Sequence, residues 1–465
     1  MAERSLRIGV VPTLDGSGGG IYQYSVTMLE GLLEIEPRPE LVLFANATHE
    51  PQAEAWRARG YQIASLWPRT IRWRLGRRVR AQMSRVASTL RVGSAARRVR
   101  ATLLGGSTAT RQPYQARRLS DQVSRWLLSF GIDFLVFPAP STIGFESRVP
   151  YVMAVHDLQH RLHPEFPEAS AGGEWESREY LFRNGIEYSL AVLVDSEIGR
   201  EDVLELYGDL TSPERVRVLP FLPAPYLDEA SSTASAAVAR ERLALPERYL
   251  FFPAQFWPHK NHLRVVRALA RIRRDKGVDV HVVMCGSASG ELRTSVLAEA
   301  RRVAATEGAE DLVHVLGYVD DDLMGPLYAA SCGVLLPTFF GPTNIPILEA
   351  WRAGRPVLSS DLRGIREQCG DAAILVDPTS VSSIADGIHS LWSDEQLRRR
   401  LVDAGTARLA LYGRADYIAR LSEVIRDAGR RVRGTASGSN EAPAAGTASR
   451  TGAPGRAEAA DSERI

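Results

Sequence analysis

Short runs of β-branched and aromatic residues, apolar on both faces, recur along this chain, and they constrain its fold more than any other feature. A strand that alternates apolar and polar residues can leave one face in water, but a strand apolar on both faces must be covered twice. That happens in parallel sheets flanked by helices. The first set comprises Arg7–Leu14, Glu40–Asn46, Phe134–Pro140, Tyr151–Asp157, Leu190–Ser196 and Val216–Phe221. A second set comprises Tyr249–Ala254, Val280–Gly286, Val313–Val319, Gly333–Thr338, Pro356–Asp361 and Ala372–Asp377. Segments with helical spacing lie between them: Tyr22–Leu33, Arg200–Tyr207, His262–Arg274, Pro346–Ala353 and Val381–Trp392. Strand and helix therefore alternate as right-handed βαβ units require, and the fold class expected is α/β, with two doubly wound Rossmann-like domains facing a central cleft.

The strand pattern breaks at Leu227–Leu245, where a run of small and polar residues reads as a linker leading into a short helix. Residues 1–226 are then a first domain, 246–405 a second, and 406–433 C-terminal helices, with Ile418, Leu421 and Ile425 spaced to pack on the body. From about Gly434 to Ile465 small polar residues cannot offset their ordering entropy, so a disordered tail is expected. With 465 residues, 45% hydrophobic, 24% charged and a formal charge of +2, the composition is that of a chain folding in water. No secretory leader is legible at Met1–Arg7 and no run of about eighteen apolar residues occurs, so a cytoplasmic location is expected. Cys285, Cys332 and Cys369 are too few and scattered for a disulfide framework or metal cluster.

One stretch departs from this balance. Between Ala55 and Ser120 there is no Asp or Glu, while sixteen arginines fall between positions 57 and 118, interleaved with Trp67, Ile71, Trp73, Leu75, Val79, Met83 and Val86. A basic segment with an apolar side suits peripheral contact with anionic lipid, on the inner face of a membrane if the chain is cytoplasmic. A solvated insertion is the alternative. Nucleic acid is not expected as a partner, because the rest of the chain is acidic enough to leave the total nearly neutral.

Open α/β sheets bind ligands beyond the carboxyl ends of their strands, so the residues following each run are informative. After the first comes Asp15-Gly-Ser-Gly-Gly-Gly-Ile21, where Gly19 and Gly20 let backbone approach a ligand and a helix start offers N–H groups to an anion. After Tyr151–Val155 stands His156, able to aim its imidazole into the cleft with Asp157 fixing the tautomer. The second domain opens with Gln255-Phe-Trp-Pro-His-Lys260-Asn261, in which Asn261 can cap a helix and Lys260 offers an ammonium to a phosphate. Only Lys260 and Lys276 are lysines, against fifty-five arginines. Gly341-Pro-Thr343-Asn344-Ile345-Pro346 then leads from strand to helix, with Thr343 or Asn344 as cap, Pro346 in the first turn, Gly354 at the end, and Glu349 about one turn in. That makes a second anion seat, with a carboxylate that can accept from two ribose hydroxyls.

Five segments of the second domain, Pro258-His-Lys-Asn261, Met284-Cys-Gly286, Val315-Leu-Gly-Tyr-Val319, Leu327-Tyr-Ala-Ala-Ser331 and Gly341–Val357, resemble in order those of the retaining nucleotide-sugar glycosyltransferases of family 4, which have the GT-B fold. The resemblance runs from about residue 6 to 430. It implies that Lys260 holds the donor diphosphate and Glu349 the ribose. The turn of Thr343, Asn344, Ile345 and Pro346 meets the phosphates or sugar through its backbone N–H groups, Gly19, Gly20, Gln255 and Gly286 border the donor, and His156 approaches the transferred sugar. Gly341 and Gln255 depart from the family, which often carries Glu and Arg at these places, so contact with the sugar hydroxyls and neutralisation of the diphosphate must be partly done otherwise.

The resulting expectation is a hexosyltransferase, with mannose the candidate sugar, acting from a nucleoside diphosphate sugar on a glycan or lipid-linked acceptor with retention of anomeric configuration. Catalytic roles fall to His156, Lys260 and Glu349. Charge on the leaving diphosphate is met by protein groups, so no metal or other cofactor is expected, and Asp320-Asp-Asp322 reads as a helix-capping turn. The alternatives are an epimerase or hydrolase of the same fold and a non-catalytic nucleotide-sugar-binding subunit.

Overall fold

A computed structural model describes residues 4–45, 50–66, 116–229 and 233–437. The apolar runs become two separate parallel sheets. The first contains β1 (Arg7–Val10), β2 (Glu40–Ala45), β3 (Gln62–Ser65), β4 (Phe134–Phe137), β5 (Tyr151–Ala154), β6 (Ala191–Val194) and β7 (Val216–Val218). The second contains β8 (Leu250–Pro253), β9 (Val282–Cys285), β10 (Val313–Gly317), β11 (Val334–Leu336), β12 (Val357–Ser360) and β13 (Ala373–Val376). Every expected strand is present but shorter. β3 was not anticipated; it lies at the start of the arginine-rich stretch, whose residues 67–115 are outside the described residues.

The strand orders are β3-β2-β1-β4-β5-β6-β7 and β10-β9-β8-β11-β12-β13. Each sheet is built outward in one direction and then in the other, so the direction reverses between β1 and β4 and between β8 and β11. Reversal points are where open α/β sheets leave a crevice for ligands. Helices cover both faces, as the doubly apolar strands require. His262–Lys276 shows how: His262, Val265, Val266, Ala268, Leu269, Ala270 and Ile272 are buried, and Gly277 ends the helix at φ 65. Arg273, Arg274 and Lys276 complement the negative end of its dipole.

Domain limits differ from the expected ones in two places. The supposed linker forms the helices Tyr226–Glu229 and Thr233–Arg242, and Leu227 and Leu245 are buried in a second-domain core with Tyr249, Phe251 and Trp351. The chain therefore crosses earlier, between Leu219 and Leu227. It crosses again between Leu409 and Tyr412, and the helix Arg414–Ser437 returns to the first domain. There Tyr417, Leu421, Val424, Ile425 and Ala428 share a core with Met28, Leu29 and Leu32. The helix runs through Ser437; the rest of the expected tail is outside the described residues.

Candidate active site

The loops at both reversal points meet in one cavity of about 140 Å³ between the domains. The first domain contributes Gly16, Gly19, Gly20 and Gln23. The second contributes the ends of β8 and β9 at Gln255 and Gly286, Tyr318 and Asp321 after β10, and Ile345, Pro346 and Glu349 after β11. Gly19, Gly20, Gln255, Gly286, Ile345, Pro346 and Glu349 are thus brought together. His156, Lys260, Thr343 and Asn344 are not in the lining.

Glu349 is the most constrained of these groups. It sits in the first turns of the helix Ile345–Arg352 and is 4% exposed. The Tyr226 hydroxyl donates to Oε1 at 2.8 Å and the Tyr328 hydroxyl to Oε2 at 2.6 Å. Burial pushes its carboxyl above the ordinary range, more than the two hydroxyls pull it down, and Asp321 adds to the rise. Each oxygen accepts one bond and keeps a lone pair, so the carboxylate is oriented but not saturated. Tyr226, which packs with the second-domain core, was missed in the sequence because it was read as the last residue of the first domain.

Two glycines are required for steric reasons. Gly286 has φ 149, and a Cβ there would meet the Ala254 carbonyl oxygen at 2.4 Å. Gly19 has φ 60, and its missing Cβ would face the Gln255 amide nitrogen at 3.4 Å. Backbone from both domains therefore approaches the cavity where side chains could not. At the other end the Gln23 amide donates to Asp321 at 3.0 Å across the cleft. Asp320 makes no side-chain cap bond, so the acidic triplet is an interdomain contact more than a cap.

The remaining expected residues are placed differently. His156 packs edge-on against Tyr24, with ring centroids 4.8 Å apart, and its Nε2 donates to the Pro138 carbonyl at 2.7 Å. That bond, not Asp157, sets the tautomer and leaves Nδ1 without a proton in the neutral ring; burial lowers the pKa and keeps the ring neutral. Asp157 instead accepts from the Gln159 backbone at 3.1 Å. Lys260 follows β8 in the short turn Pro258–Lys260, where burial pulls its ammonium down to about 8 against the attraction of Asp157 and Glu168. Asn261 does not cap with its side chain, which donates to the Pro337 and Pro378 carbonyls at 2.9 and 2.8 Å.

Thr343 donates its hydroxyl to Asp195, a first-domain carboxyl that burial raises to about 7. Asn344 occupies the cap position without a side-chain cap bond and exchanges backbone bonds with the Gln368 amide at 2.9 Å each. Both residues hold the loop against its surroundings, which leaves Ile345 and Pro346 at the cavity. Gly354 ends the helix at φ 66, as expected. Among the described residues no group of three or more His, Cys, Asp or Glu is arranged to hold a metal ion, and no helix is long and apolar enough to cross a membrane.

Two Rossmann-like domains facing one cleft, with a buried glutamate, a helix start and glycine-lined backbone at the reversal points, define the GT-B class. Residues 234–408 match the family model described as glycosyl transferases group 1. It is similar to the alpha-D-kanosaminyltransferase of Streptomyces kanamyceticus, at 25% identity over 224 residues, covering 48% of this chain and 56% of the relative. It is also similar to the O-antigen chain mannosyltransferase B of Escherichia coli, at 23% identity over 257 residues, covering 55% and 65%. The matched stretches thus span a little over half to about two-thirds of these relatives. Among solved structures, Anabaena HepE in complex with UDP and glucose superposes with a TM-score of 0.59 over 93% of this chain and all of that one. At 15% identity that likeness speaks for the fold.

Proposed function

We propose that this protein transfers a hexose from a nucleoside diphosphate sugar to a glycan or lipid-linked acceptor, with retention of anomeric configuration. The observation that carries the proposal is the setting of Glu349, a buried carboxylate aimed by two tyrosines into a cavity that both domains line. The ribose hydroxyls donate to Glu349. The diphosphate lies against Gly286 and the start of the helix Ile345–Arg352, where the Ile345 N–H and the helix dipole favour negative charge. Glycosyl transfer builds charge on that diphosphate as the anomeric bond breaks, and donors fixed in advance stabilise it without reorganisation. His156 stands on the first-domain side, where the acceptor enters. The mannosyltransferase and kanosaminyltransferase among the relatives support a hexose donor, with mannose the first sugar to try.

The test combines the purified protein with UDP- and GDP-linked hexoses and a pool of glycan and polyprenyl-phosphate acceptors, with products read by mass spectrometry and the new anomeric centre by NMR. Transfer with retention, persisting in EDTA, is the expected result. Release of free sugar without transfer identifies a hydrolase, an isomerised donor identifies an epimerase, and binding without turnover identifies a binding subunit; each contradicts the proposal.

A further inference from the structure

The cavity poses a problem of charge. Its lining includes Asp321 and Glu349 and, among the described residues, no lysine or arginine, whereas the donor brings a diphosphate. A helix N-terminus offers only about half a positive charge. Lys260 stands outside the lining.

A guanidinium lies directly behind that wall. Arg293, in the helix Glu291–Thr306, donates from Nη1 to Oε1 of Gln255 at 2.9 Å, and Trp257 Nε1 donates to the same oxygen at 2.9 Å. The guanidinium carbon lies 4.8 Å from the Trp257 ring centroid. Its Nε is buried and has no hydrogen-bond partner. Gln255 belongs to the lining, beside Gly286 and opposite Gly19. A guanidinium stacked on indole and tethered through one nitrogen is fixed in place, and this planar, permanently charged group suits phosphate oxygens.

We propose that Arg293, aimed by Trp257 and Gln255, supplies the cation that fixes the donor's diphosphate at the Gln255–Gly286 wall. The proposal rests on the nucleotide-sugar reading above. It assigns Gln255 a positioning role: its side-chain oxygen accepts from the guanidinium and so holds in place the charge that its own side chain lacks. The helix Glu291–Thr306 thereby becomes part of the donor site.

The test measures affinity for UDP and GDP by calorimetry, and for uridine and guanosine by NMR titration, in the wild type, Arg293→Gln, Arg293→Lys and the double variant Arg293→Gln/Gln255→Arg. Losing a charge-assisted hydrogen bond should weaken diphosphate binding in Arg293→Gln by roughly tenfold or more. Nucleoside affinity should stay within about twofold, since no charge is involved. Arg293→Lys should fall between, and an arginine at 255 should recover most of the loss by placing a guanidinium in the lining itself. Unchanged diphosphate affinity in Arg293→Gln, equal losses for diphosphate and nucleoside, or no recovery in the double variant would each overturn the assignment. A wild type that binds no nucleoside diphosphate would overturn the functional reading first.

Discussion

At the residue scale the proposed site turns on Glu349, a carboxylate in the cavity wall, and on Lys260, a cation that stands outside the lining. Glu349 is buried and oriented by Tyr226 and Tyr328, so its lone pairs point at a fixed place. Glu349→Ala should raise the donor's dissociation constant by roughly ten- to a hundredfold, the range for a hydrogen bond to a charged group. Calorimetry checks it, and wild-type affinity would remove Glu349 from the ribose. Lys260 differs because burial brings its ammonium to about 8. It is a cation below that pH and neutral above it, while the diphosphate stays anionic, so donor affinity should fall as pH rises through about 8, by up to tenfold per unit. Lys260→Arg should flatten that profile between pH 7 and 9; an unchanged inflection would assign it elsewhere.

At the element scale the strands were legible because burial on both faces leaves a compositional mark, and the strand–loop–helix after β11 because Pro346 and Gly354 mark its ends. What escaped had no local mark. Tyr226 closes the stretch read as first domain, and its bond to Glu349 spans 123 residues. Arg293 is one arginine among fifty-five, and only the fold brings it to Gln255. His156, Thr343 and Asn344 were found at strand or loop ends, but side-chain direction depends on partners such as Pro138, Asp195 and Gln368 that lie elsewhere in the chain. The tight turn after β9 offers a check on backbone approach. Gly286→Ala sets a Cβ against the Ala254 carbonyl at a φ that side chains rarely adopt, which should cost about 2–4 kcal/mol. Calorimetry should show the second domain's melting transition lowered by roughly 5–15 °C; a shift within about 1 °C would mean the turn yields at little cost.

At the scale of the whole molecule the domains are closed on each other by small, mostly polar contacts. Glu168 accepts from His259 at 2.6 Å, and Glu367 accepts from the backbone N–H groups of Glu197 and Ile198 at 3.0 Å each. Phe166 and Phe339 meet with centroids 5.4 Å apart. Interfaces of this kind, crossed twice by the chain, suit domains that part to admit substrates and close over them. We propose at this scale that the arginine-rich stretch reaches a lipid-linked acceptor. Replacing Arg72, Arg74, Arg77 and Arg78 by glutamine should weaken binding to phosphatidylserine vesicles by roughly tenfold or more, at about 1 kcal/mol per basic residue, and spare activity on soluble acceptors. Undiminished vesicle binding would dismiss the membrane role.

The central claim is that the interdomain cavity seats a nucleoside diphosphate, with its ribose on Glu349 and its phosphates against Gly286 and the helix start at Ile345. A crystal structure with UDP or GDP tests it most directly. The account predicts ribose oxygens within hydrogen-bond distance of Glu349, and phosphate oxygens packed against Gly286 and at the backbone N–H of Ile345. A nucleotide seated outside the cleft, or Glu349 still bonded only to its two tyrosines beside a bound ribose, would contradict it.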